Sequence, residues 1–168
     1  MSPPPLTPLA AAVLHVGEPE RILQIECAEG EGALFLSREF PSARVRGIDR
    51  EAETIRAASS RVGLDPEGRI AFKQGSPSSI PFPDDHFDLL VAVDTRPAVR
   101  ETRRVVRPGG FLALVETRRE RAPGGLGAWH LRWRLRRAGF EPIWEEAAGD
   151  GSFAVARLRG GGPVGGSL

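Results

Sequence analysis

Asp49 stands 19 residues beyond Gly30. An acid about 20 residues past a glycine turn is the spacing at which a second strand offers a carboxylate to the ribose hydroxyls of a nucleotide-like ligand. The turn, in RILQIECAEGEG (residues 21–32), does not resemble a phosphate cradle. It carries Glu26, Glu29 and Glu31 where phosphate-binding turns carry small or basic residues. Carboxylates there repel a pyrophosphate, which argues against NAD, FAD and ATP and is compatible with a cationic ligand or with none. If the turn requires a positive φ at Glu26, that side chain also costs roughly 1 kcal/mol or more relative to glycine. Asp49 has a second reading, as a strand-end acid capping the helix that begins at Glu51. Arg50 and Glu51 either flank the same ribose or start that helix in solvent.

The elements that must position these residues follow from hydrophobic patterning. Residues 6–15 read as a short apolar helix, with Thr7 as N-cap and Pro8 as its first residue. Residues 21–26 form a first strand, 31–40 a helix, 44–48 a second strand ending in Asp49, and 51–62 a helix that Gly63 closes. Residues 69–74 make a third strand, followed by a Ser- and Pro-rich loop. FDLLVAV (87–93) is apolar almost throughout, as a strand covered on both faces must be. A helix over 97–106, capped by Asp94 or Thr95, leads through Pro108-Gly109-Gly110 into a fifth strand, 111–116. After a helix over 126–138, strands 140–145 and 152–158 are joined by AAGDG as a hairpin. Alternating strands and helices imply a parallel sheet with right-handed crossovers, and the hairpin adds one antiparallel strand.

The 168 residues, 40% of them hydrophobic, suit one domain with a sizeable core, read here as 1–159 with a Gly-rich tail over 160–168. The net charge of +1 selects neither nucleic acid nor an anionic membrane. No apolar run approaches the roughly 20 residues that span a bilayer, and the start lacks signal-peptide character, so a cytoplasmic protein without a membrane partner is the expectation. One cysteine and three isolated histidines show no metal-ligand spacing. Cys27 reads as a small packed group, His86 as a solvent-exposed loop residue, and His15 and His130 as surface or helix-packing residues.

Several stretches, in order, resemble class I S-adenosylmethionine-dependent methyltransferases, in particular the small-molecule (UbiE-like, type 11) branch. They are ILQIECAEG for the strand and glycine loop, VRGIDRE for the ribose acid and SIPFPDDHFDLLV for the approach to strand four. RETRRVVRPGGFLALVE resembles the family's arginine-rich helix and fifth strand, and RRAGFEPI its entry to the sixth. Together they cover most of residues 20–158. The resemblance implies a Rossmann-like, doubly wound α/β fold: a seven-stranded mixed sheet of six parallel strands and one antiparallel strand, with helices on both faces. It implies S-adenosylmethionine as cofactor, bound around Glu26, Cys27, Ala28, Gly30, Asp49, Arg50, Gly75, Ser76 and Val93.

The departures from the family pattern fall on that site. The usual first-strand acid is Gln24, two loop glycines are Glu26 and Ala28, and the acid that holds the adenine amino group is replaced by Ser76. Methyl transfer from a sulfonium asks mainly for in-line alignment. Candidates for it lie at the ends of strands four and five: Val93, Asp94, Glu116 and Thr117. Asp94 either deprotonates or binds the acceptor, or caps the following helix. Two functions follow: methyl transfer to an unidentified acceptor, or a catalytically inactive module of this fold that has lost the cofactor and binds a protein partner. The helix from Trp129 to Arg137 carries its own pair of readings. Either its tryptophans are buried on the sheet with arginines in solvent, or it forms a surface for RNA or an acidic partner.

Overall fold

The computed structural model describes residues 6–118 and 126–160. The proline-rich start (1–5) and all but the first residue of the expected tail lie outside them. The strands are β1 (Arg21–Ile25), β2 (Arg44–Asp49), β3 (Ile70–Gln74), β4 (Phe87–Val93), β5 (Val106–Glu116), β6 (Phe140–Ala148) and β7 (Gly151–Leu158). The helices are α1 (Thr7–Ala12), α2 (Glu31–Glu39), α3 (Ala52–Val62), α4 (Val99–Val105) and α5 (Leu126–Arg137). A short 3-10 turn, Val13–His15, follows α1. One seven-stranded sheet runs β3-β2-β1-β4-β5-β7-β6. Its pairings are parallel from β3 to β5, and β7 lies antiparallel between β5 and β6. This is the mixed, doubly wound sheet that the sequence predicts. No described helix is long and apolar enough to cross a membrane.

The central strand shows why both faces are covered. Leu89 and Val91 of β4 enter one core with Leu9, Ala33 and Leu36, under α1 and α2. Leu90 and Ala92 enter the other with Val99, Val105 and Leu135, under α4 and α5. Successive strand residues point to opposite faces, so a strand buried on both sides must be apolar at every position. Strand order reverses between β1 and β4, and in such sheets the crevice beyond the carboxyl ends at that point is where ligands bind.

Three local expectations are corrected. Thr7 is the first residue of α1 and Leu6 its cap, which shifts that helix start by one residue. Neither Asp94 nor Thr95 caps α4, which starts later, at Val99, with Ala98 as an N-cap that makes no side-chain cap bond. β5 starts at Val106, so Pro108-Gly109-Gly110 lies inside the strand: Phe87 pairs with Val106, and a bulge separates that pair from Leu89–Phe111. Gly109 takes φ +85° there, and a Cβ on Gly110 would meet the carbonyl oxygens of Arg107 and Asp88 at 2.9 Å. The glycines are required, but by a bulge instead of a connecting turn.

In α5 the tryptophans are not buried on the sheet. Leu135 is the residue that enters the core, with Leu131 packed against it, while Trp129 and Trp133 are 60% and 47% exposed. The Arg137 guanidinium lies 4.7 Å from the Trp133 ring centroid.

Candidate cofactor and acceptor site

The turn after β1 is tied to the end of β2. Cys27 N–H donates to the Ile48 carbonyl at 2.9 Å and Ala28 N–H to the Asp49 carboxylate at 3.0 Å. The other Asp49 oxygen accepts from Glu51 N–H at 3.1 Å. Asp49 is buried. Of its two expected roles the structure shows the one at the helix start, through the bond to Glu51 N–H just before α3 begins at Ala52, and it adds a brace to the turn.

Glu26 and Ala28 adopt φ +48° and +49°, and Gly30 takes +88°. The chain keeps the left-handed backbone at two positions where glycine would adopt it freely, a conformation that costs L-residues about 1–2 kcal/mol each. At Gly30 a side chain is also excluded by space, since a Cβ would come within 2.8 Å of the Phe72 ring. Ala28→Gly, which touches no side-chain bond, is expected to raise stability by about 0.5–1 kcal/mol in urea denaturation. A destabilised variant would mean that the positive φ carries no strain.

The acidic character of the turn is compensated within the chain. Arg50 Nε meets Glu26 Oε1 at 2.8 Å, and Arg61 from α3 meets Glu29 at 3.5 Å and Glu31 at 3.2 Å. The three carboxylates thus have arginine partners without any ligand. Cys27 is buried, and burial first, with the Asp49 charge second, pushes its thiol up to about 12. A neutral thiol of this kind packs and does not attack.

Gln24, in the position of the family's first-strand acid, is buried beneath α2, and a Cβ on Gly32 would press on its carboxamide at 2.6 Å. Its Oε1 has no hydrogen-bond partner among the described residues. An unspent acceptor in a buried place calls for a donor. From β3, Gly75 N–H donates to the Asp49 carbonyl at 3.0 Å, and Ser76 Oγ lies 3.2 Å from Ser78 Oγ. Pairing of Ile25 with Ala92 sets Val93 beside Glu26. Glu26, Cys27, Ala28, Gly30, Asp49, Arg50, Gly75, Ser76 and Val93 therefore surround the carboxyl ends of β1 to β4.

Asp94 belongs to a second cluster. At φ +53° its carboxylate accepts from Thr117 N–H at 2.9 Å and Thr117 Oγ1 at 2.5 Å. This clasps the ends of β4 and β5 together. Next to it Glu116 closes β5 at the edge of a cavity of about 350 Å³ between α5 and the β5-β7-β6 part of the sheet. Burial raises the Glu116 carboxyl above its ordinary range, Asp94 adds to the effect, and Arg96 and Arg132 oppose it. His86 stacks on Phe82 just before β4, at the opposite, amino ends of the parallel strands, and is half-buried, not exposed. His15 stacks on Trp144 at 4.8 Å between centroids.

Residues 22–110, more than half of the chain, match the methyltransferase domain family, and the chain belongs to that family. Solved structures that share the fold include S-adenosylmethionine-dependent methyltransferases. Among curated proteins, the fatty-acid O-methyltransferase of Mycolicibacterium smegmatis is 31% identical over 108 residues, 60% of this chain and 38% of that protein. The 27-O-demethylrifamycin SV methyltransferase of Amycolatopsis mediterranei is 30% identical over 131 residues, 73% of this chain and 48% of that protein. The matched stretch is thus less than half the length of either relative. A solved SAM-dependent methyltransferase from Aquifex aeolicus shares the fold, with TM-score 0.74 at 19% identity over 94% of both chains.

Proposed function

We propose that this chain holds S-adenosylmethionine at the carboxyl ends of β1 to β4 and directs methyl transfer to an acceptor beside Glu116. The observation that carries the reading is the turn at Glu26, Ala28 and Gly30, all left-handed. Backbone strain at non-glycine residues persists where the surroundings over-determine it, typically where a ligand is clamped. Asp49, with two of its roughly four acceptor sites spent on backbone amides, retains lone pairs for ribose hydroxyls. Gln24 offers an unpaired acceptor to an ammonium group, and Gly75 and Ser76 line the place of the adenine. Bound there, the cofactor would supply a methyl group on a cationic sulfonium that departs as a neutral thioether, so in-line alignment is the main requirement. The proton of an O–H acceptor would pass to a nearby carboxylate such as Glu116 or to water.

The rival reading, an inactive module, rests on altered residues at 24, 26, 28 and 76. These changes leave the turn's backbone conformation and its bonds to β2 in place. Isothermal titration calorimetry tests the proposal: micromolar binding of S-adenosylmethionine and S-adenosylhomocysteine is expected, with none for ATP or NAD. Absence of binding at millimolar ligand overturns it.

A further inference from the structure

The cavity beneath α5 has walls of one kind and a polar end of another. Leu112, Leu114, Leu131, Leu135 and Phe140 form apolar walls. Glu116 and Ser152 pair at the carboxyl end of β5, with Arg96 in the loop after β4, while Arg132 and Arg136 of α5 and Glu145 of β6 also line the cavity. Its volume of about 350 Å³ is at the lower end of small-molecule pockets, roughly 300–1,000 Å³. The charges at the polar end are mixed. Arg132 pairs with Glu145, which leaves the Glu116 carboxylate among the fields of Asp94, Arg96 and Arg132. A fully charged head group of either sign therefore meets a like charge at close range, and in such a site like charges are costly. A hydroxyl does not. It carries one donor and two acceptor lone pairs, so it can give its proton's hydrogen bond to Glu116 and accept one from Arg96.

We infer that the cavity under α5 binds an uncharged alcohol or phenol on a compact apolar body, with the hydroxyl at Glu116 and Arg96 and the body against Leu114 and Leu131. As the acceptor's place it rests on the methyl-transfer reading above, but as a binding site it stands on the cavity alone. The raised Glu116 carboxyl suits this role, because a carboxylate poised for protonation is a stronger acceptor for a weakly acidic O–H.

The test is equilibrium dialysis of the full chain with three probes of one shape: 2-naphthol, 2-naphthoate and 2-naphthylmethylammonium. At neutral pH 2-naphthol is expected to bind about tenfold or more tighter than either ion. Leu114→Trp, which fills the cavity, should weaken 2-naphthol binding at least about tenfold, and Ala154→Leu serves the same purpose should the first variant fail to fold. Glu116→Gln should tighten 2-naphthoate, which a purely structural role for Glu116 would not do. Equal binding of the ions and 2-naphthol overturns the inference, as does unchanged binding by a folded cavity-filling variant. S-adenosylmethionine titration of the same samples separates the two readings. Cofactor binding without selectivity for 2-naphthol defeats this inference alone, and 2-naphthol binding without cofactor binding defeats only the methyl-transfer reading.

Discussion

Arg104→Ala is expected to lower the free energy of unfolding by about 2–4 kcal/mol and to loosen the loop that leads into β4. The guanidinium makes a two-pronged bond with Glu101, Nε to Oε1 at 2.8 Å and one terminal nitrogen to Oε2 at 2.9 Å. The same group donates to the carbonyls of Ile80 and Phe82, both at 2.8 Å, and to Asp84 at 3.0 Å. Glu101 in turn accepts from Ile80 N–H at 2.8 Å. One side chain of α4 thus holds residues 80–84 against the helix, and its removal strands two carbonyls and a half-buried carboxylate. Bidentate charged bonds in a partly shielded place rank among the stronger polar contacts.

The same pair sets an acid limb of stability. Hydrogen bonding to Arg104 foremost holds the Glu101 carboxyl down to about 2 from an ordinary 4.5. A depressed folded-state value means that the stabilisation is fully present above the unfolded value and is lost as pH falls from about 4.5 towards 2. After allowance for partial exposure this limb amounts to roughly 2–3 kcal/mol. Urea midpoints from neutral pH down to about pH 3 should show it in the wild type and not in Arg104→Ala. Parallel curves for the two proteins would show that the pair contributes nothing to acid stability.

What could be read in the sequence was local, and what could not was the outcome of a contest between distant residues. β4 is legible to the residue because an uninterrupted apolar run has one use in an α/β sheet. The hairpin is legible from AAGDG, although its two loop residues are Gly149 and Asp150 and not the Asp-Gly pair, since Gly151 already pairs with Ala148. In α5, however, two apolar pairs stand at helical spacing, Trp129 with Trp133 and Leu131 with Leu135, about half a turn apart. Periodicity does not choose between them, and the smaller leucines fit the sheet. The partners of the acidic turn are likewise invisible locally, since Glu26 meets Arg50 and Glu29 meets Arg61 only after β1, β2 and α3 assemble. Asp94 finds Thr117 through strand register, which displaces the helix cap that its sequence position suggests. The rim arginines Arg96 and Arg132 carry no local motif. Their role depends on a cavity that exists only once α5 has docked.

Asp49→Ala is expected to weaken S-adenosylmethionine binding by about 1–3 kcal/mol, on the order of 5- to 150-fold, and to lower stability by about 2 kcal/mol. The two effects have separate origins. The stability loss follows from bonds present in the free chain, because Ala28 and Glu51 N–H groups lose the carboxylate that accepts from them. The binding loss follows from the acceptor sites those bonds leave unused, and from the slackening of a turn whose left-handed residues depend on that brace. Asp49→Asn separates them. An amide keeps one oxygen and should preserve about half of the stability, yet its NH2 group faces donors and lacks the charge that strengthens a bond to ribose hydroxyls. Arg50→Ala is the complementary control, since it frees Glu26 while leaving both Asp49 bonds in place. Calorimetric affinities for the three folded variants, with circular dichroism melts beside them, give the answer. If Asp49→Ala binds the cofactor as tightly as the wild type, the acid at the end of β2 is a brace for the turn and has no part in holding the ribose.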